Sequence, residues 1–197
     1  MKRLPPRGVW HDLLEDEDFS PSKYTVRIGD LINGLSDSNY VDRMMAAQAL
    51  GKMGTHAINA IPAVRTSLQD ENYIVRVEAA AALCRITGSV FEGLPVLIET
   101  LHDPDPQVRE YGSSTVSSLS LVLKDPALVP VFLEMAESKE FFSRMYAASG
   151  LFNVAPNDPQ TARILTALSQ DADDLVREAA NKRIQLIQKI IHPGAGD

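Results

Sequence analysis

The sequence predicts an all-α fold, a superhelix of about five stacked helix pairs, and three features carry that prediction. An arginine recurs in register at Arg43, Arg76, Arg109, Arg144 and Arg177, at steps of 33, 33, 35 and 33 residues. Asp37, Asp70, Asp103 and Asp171 each lead the turn six residues before one of these arginines, and an alanine-rich stretch follows most of them. No segment alternates apolar and polar residues as a half-buried strand does. Self-similarity at this period marks a row of helical hairpins, none of which buries its apolar face alone.

Taken in order, residues 1–23 lie outside the repeat. Val9-Trp10-His11-Asp12-Leu13-Leu14 precedes the acidic run Glu15 to Asp18. The favoured reading is a short helix that covers the open edge of the first repeat; the alternative is a mobile acidic docking segment anchored by Trp10. Residues 24–191 form the repeat domain, with units at about 24–54, 57–87, 91–121, 126–154 and 158–191. Residues 192–197 form a loose tail. The first helix of a unit is short, as over 57–68 or 91–101, and Pro62, Pro95 and Pro130 sit in its first turns, where a missing N–H is harmless. The second helix runs from about Tyr73 to Ile86 in the second unit and ends near Thr87-Gly88; Gly54 ends its predecessor.

Stacking explains the composition of the second helices. Small residues at Ala46, Ala79 and Ala147 let neighbouring helices approach, while Leu50, Leu83, Val116 and Leu151 fill the layer between them. The arginine column reads as a structural ladder with Asp37, Asp70, Asp103 and Asp171, each guanidinium able to reach the turn acid of its own or the next unit. Such pairs, if exposed, are worth about 0–1 kcal/mol each. An anion-binding arginine row is the minor alternative.

The pattern Asp-x-x-x-x-Val-Arg-x-x-Ala-Ala-x-Ala-Leu, clearest at Asp70 to Leu83 and at Asp171 to Ala180, closely resembles HEAT repeats of the short type first noted in phycobilin lyases. The third unit departs from it with Gly112 and Ser113, the fourth with Ser143. The fifth departs with Asn181 and Arg183, as expected of a terminal unit that faces water on one side. The resemblance implies that the second helices line a concave face. Met44, Met45, Gln48, Val77, Glu78, Ala81, Cys84, Glu110, Tyr111, Ser114, Ser117, Met145, Tyr146, Ser149, Phe152, Glu178, Lys182 and Gln185 would then look into the groove. A wet face holding Met44, Met45, Val77, Tyr111, Met145, Tyr146 and Phe152, with Glu78 and Glu110 around them, is the expected partner-binding surface. The alternative is that curvature buries the same residues as ordinary core.

Chemistry has no candidate constellation. His11, His56, His102 and His192 are scattered, with no His-x₃-His or His-Glu pair. Deoxyhypusine hydroxylase is similar in its HEAT repeats but depends on His-Glu pairs that this sequence lacks. Cys84 reads as a small packing residue or an exposed thiol, not a nucleophile. No phosphate-binding glycine loop occurs, and the acidic run lacks calcium-loop spacing. The expectation is a non-enzyme with no cofactor and no metal. The 19 Lys+Arg against 26 Asp+Glu, a net charge of −7, disfavours nucleic acid as a partner. No run is long and apolar enough to span a membrane, and one cysteine excludes a disulfide framework, so a cytoplasmic location is expected. The functional expectation is a protein-binding scaffold whose partner has basic and apolar character. The alternatives are an accessory subunit of a bilin-lyase-type enzyme and an immunity or inhibitor protein.

Overall fold

The computed structural model describes residues 28–191, and every described element of regular structure is helical. The expectations for residues 1–27, with Trp10, and for 192–197 lie outside the described residues. The chain divides after Thr100 into two compact units.

In the first unit α1 (Ile28–Gly34) and α2 (Tyr40–Met53) are followed by a 3₁₀ segment (Gly54–Ala60), α3 (Ile61–Ser67) and α4 (Tyr73–Thr87); α5 (Leu94–Leu101) ends at the boundary. The starts of α2 and α4 follow from their capping residues. Asn39 and Asn72, in extended conformation, accept hydrogen bonds from the N–H groups of Val41 and Ile74. Gly88, at φ 69°, ends α4 in the left-handed conformation that a side chain would disfavour. Leu31, Leu50, Val64, Leu83 and Ile86 are buried with Ala46, Ala49, Ala79 and Ala82 around them. Small residues set the helix spacing. A Cβ added at Gly51 on α2 would lie 2.8 Å from the Ala82 Cα of α4. The chain entering α5 also lies on α4, since a Cβ at Gly93 would meet the Ala80 carbonyl oxygen at 2.4 Å and Cys84 Sγ at 2.6 Å.

The second unit holds α6 (Pro106–Leu123), a 3₁₀ turn (Pro126–Leu128), α7 (Val129–Ala136), α8 (Phe141–Val154), α9 (Pro159–Leu168) and α10 (Asp174–Ile191). Asp105 and Asp158 cap α6 and α9, each with proline in the first turn. The second helices lie side by side in the order α6, α8, α10. Val116, Leu119, Phe132, Leu151, Leu165 and Val176 are buried. Phe132 of α7 packs against the α8 backbone at Gly150, where an added Cβ would fall 2.1 Å from the ring. Between α6 and α8 the interior also carries hydroxyl groups: Ser113 and Ser143 are buried with their Oγ atoms 2.9 Å apart. Asn153 Nδ2 donates to the buried Ser120 Oγ at 2.9 Å.

Candidate interaction face

The arginine motif holds the second helices in place. Nη1 of every column arginine donates to the carbonyls of the turn that opens its own helix: Asp37 and Ser38 for Arg43, Asp70 and Glu71 for Arg76, Asp103 and Pro104 for Arg109. Arg144 does the same with Ser138 and Lys139, and Arg177 with Asp171 and Ala172. The turn acid spends one oxygen on a backbone N–H two residues ahead, as Asp70 does with Asn72 and Asp171 with Asp173.

In Arg43, Arg109 and Arg144 the other edge of the guanidinium reaches the following repeat. Arg43 grips Asp70 bidentately at 2.7 and 2.9 Å, and Arg144 grips Asp171 at 2.7 and 2.8 Å. Both pairs are well buried; the Arg43 and Asp70 side chains are only 9% and 10% exposed. The value expected for exposed pairs therefore understates the cost of breaking them, because a buried carboxylate that loses its partner stays unsolvated. Burial pushes the Asp70 carboxyl up, but the Arg43 guanidinium and the Asn72 N–H together hold it below its ordinary value. At Asp171 the Arg144 hydrogen bonds prevail over burial to the same effect. Arg43 and Arg144 are correspondingly raised by Asp70 and Asp171.

The turn before α8 is the exception. Ser138 stands where the others carry aspartate, and its Oγ accepts from the Glu140 N–H in the same way. The acid for Arg109 comes instead from Glu140, which makes a single contact through Arg109 Nη2. Glu140 is the capping residue of α8, and with its carboxylate on Arg109 it makes no side-chain capping bond.

These contacts fix the rotation of each second helix, and the rotation corrects part of the expected groove. On α2 and α8 the position eight residues past the column arginine faces the next second helix, not water. Gly51 meets Ala82 there, and Phe152 lies beneath the Arg183 guanidinium at 5.8 Å. Val77 is fully buried and Glu78 nearly so, because α4 is enclosed almost all round: Val75, every residue from Val77 to Cys84, and Ile86 are buried. Ala81 and Cys84 fall with them. Ser117 is buried on α6. Met45 packs partly against the first unit's core, and Met44 beside it is half-buried.

What remains open is the face two and five residues past the arginines. In the second unit this places Tyr111 and Ser114 on α6, Tyr146 and Ser149 on α8, all half-buried, and Lys182 on α10, exposed. Glu110 is exposed beside them, and Met145 is half-buried. Burial first, and then the Glu110 charge, push the Tyr146 phenol above its ordinary value, so the acid and the phenol share one neighbourhood. Glu178 and Gln185 are exposed on α10. Arg183, expected to point into water as part of a terminal unit, is half-buried instead: Nη2 donates to Ser149 Oγ at 3.0 Å. Sequence reasoning missed this residue, and the small Gly51–Ala82 pair in the equivalent place gives no hint of an aromatic–arginine pair.

His11 and His192 lie outside the described residues; His102 Nε2 lies 3.1 Å from Glu134 Oε1, an exposed pair invisible in the linear spacing. A depression of about 330 Å³ beside it is lined by His102, Glu134, Met135, Ser138, Lys139 and Ser143. Among the described residues no three histidine, cysteine or carboxylate side chains are grouped as metal ligands would be. No described helix is long and apolar enough to cross a membrane.

Comparison with known proteins follows the same lines. No curated protein matches the sequence. Among solved structures, the complex of CpcE and CpcF of phycocyanin lyase from Nostoc sp. PCC7120 is similar at a TM-score of 0.61 and 21% identity, over 90% of this chain and 71% of that one. A computationally designed armadillo repeat protein for modular peptide recognition is similar at 0.51 and 15%, over 80% and 81%. An engineered protein is similar at 0.54 and 20%, over 82% and 79%. Identities this low speak for the fold alone. The family description HEAT repeats matches residues 28–113 and 94–184, most of the chain, and with the arginine motif and paired helices already in view the protein belongs to the HEAT-repeat family.

Proposed function

We propose that the protein is a non-catalytic binding scaffold, and that the second-helix face of its second unit holds a protein segment of basic and apolar character. The observation that carries this reading is the half-buried Tyr111–Tyr146–Met145 surface, with Glu110 at its margin. Aromatic and methionine side chains bordered by polar groups supply contact area at small entropic cost, and one acid beside two tyrosines favours a cationic side chain. The designed armadillo protein named for modular peptide recognition supports such a use of stacked helices. Phe152, committed to Arg183, acts from beneath by fixing α8 against α10.

The test is affinity capture from the native host with the full chain and with Tyr111→Ala/Tyr146→Ala. The expected outcome is one dominant partner, at least about tenfold depleted in the variant, as replacement of interface anchors gives, with unchanged helicity by circular dichroism. Undiminished capture by the variant would remove the site from this face. A change in tetrapyrrole absorbance on mixing with the protein would favour the lyase-subunit alternative.

A further inference from the structure

We infer that the α6–α8 seam of the second unit is a built-in hinge, across which α7 to α10 rock as one body against α6. Four observations meet at this seam. Its buried centre is joined by hydroxyl and amide groups, Ser113 to Ser143 and Ser120 to Asn153, where the α2–α4 contact of the first unit is alanine and glycine. A hydrogen bond between such groups contributes little net, because water replaces it when the seam parts; an apolar seam has no such substitute. Its arginine contact, Arg109 to Glu140, is single and about a quarter to a third exposed, whereas Arg43–Asp70 and Arg144–Asp171 are bidentate and well buried. Glu140, drawn to Arg109, leaves α8 without a side-chain cap. The depression beside His102 reaches Ser143 itself, so water has a route to the seam.

Everything on the far side of the seam is locked together. Phe132 pins α7 to α8 at Gly150, Arg144–Asp171 ties α8 to the turn before α10, and Arg183 ties α10 to Ser149 and Phe152. Motion therefore concentrates between α6 and α8, where the joint is polar and its arginine contact single, as shear between packed helices does. Tyr111 and Tyr146 stand on opposite sides of this line, so the hinge sets the separation of the two tyrosines. That consequence rests on the binding reading; the hinge itself does not.

The test is thiol labelling of the full chain under native conditions. Ser113→Cys places a thiol in the seam, and Ala47→Cys places one at the equivalent position of α2; iodoacetamide is the probe. The expected result is labelling at Ser113→Cys at least about tenfold faster than at Ala47→Cys, and nearly independent of dilute urea, as a local opening that exposes little surface requires. Equal rates, or a rate at Ser113→Cys that climbs with urea as global unfolding does, would overturn the hinge. Ser143→Cys repeats the measurement from the other side if Ser113→Cys does not fold. Fast seam labelling with no partner captured would leave the hinge standing and the binding reading refuted.

Discussion

The α2–α4 contact of the first unit and the α6–α8 contact of the second solve one packing problem with opposite chemistry. In the first, Gly51 and Ala82 bring two backbones into touch, and a buried bidentate pair, Arg43–Asp70, closes the end. In the second, serines take the places of alanine and valine, and a single Arg109–Glu140 contact closes the end. Helix pairing is kept in both, so the repeat specifies geometry while leaving the strength of each joint free to vary.

Removing the arginine separates the joints most sharply. Arg43→Met strands Asp70 in a buried site and is expected to lose about 3–5 kcal/mol, read from the urea midpoint. Arg109→Met, whose partner is far better solvated, is expected to lose about 1 kcal/mol or less. Equal losses would erase the distinction. Next comes crowding of the tight joint: Gly51→Ala drives a methyl group onto the Ala82 backbone and is expected to cost about 1–3 kcal/mol, with a lowered melting temperature. A smaller effect probes the hydroxyl joint. Ser113→Ala leaves the Ser143 hydroxyl without its partner, for about 1–2 kcal/mol, whereas Ser113→Ala with Ser143→Ala removes donor and acceptor together and is expected to fall within about 1 kcal/mol of the parent.

The gentlest probe is pH. Asp70 and Asp171 have carboxyls held below their ordinary values, so their contribution to stability is complete above the unfolded carboxylate value near pH ~4. It is lost as the pH falls through the folded values. Urea midpoints measured between neutral and strongly acidic pH should show this loss, and Arg43→Met should remove the Asp70 share of it.

Much of this architecture was legible in the residues themselves. The Asp-led turns, Gly54 and Gly88 at the ends of α2 and α4, and prolines in the first turns of α3, α7 and α9 are local signals that need no tertiary information. Pro159 was one of these, although the spacing pointed only to Pro62, Pro95 and Pro130. Helix rotation was not legible to within a residue, and that error moved Phe152 onto a face it does not occupy, whereas Val77 and Glu78 sit at positions that are open on α6 and α8 but buried on the enclosed α4. An alanine-rich helix such as α4 has no polar side to set its phase, since nearly all of it is buried. Pair geometry was the second blind spot: nothing in the linear spacing says that Glu140 substitutes for an aspartate, or that Arg183 folds back over Phe152.

The ring of Phe132 fills the volume that any side chain at residue 150 would need. Repeat arrays are commonly pictured as interchangeable bricks, yet this hairpin is keyed. Transplanting α7 beside another second helix would drive the phenyl into an occupied site, and giving α8 a different first helix would leave a hole over its bare backbone. Modular shuffling of this chain would have to carry residues 129–154 as one piece.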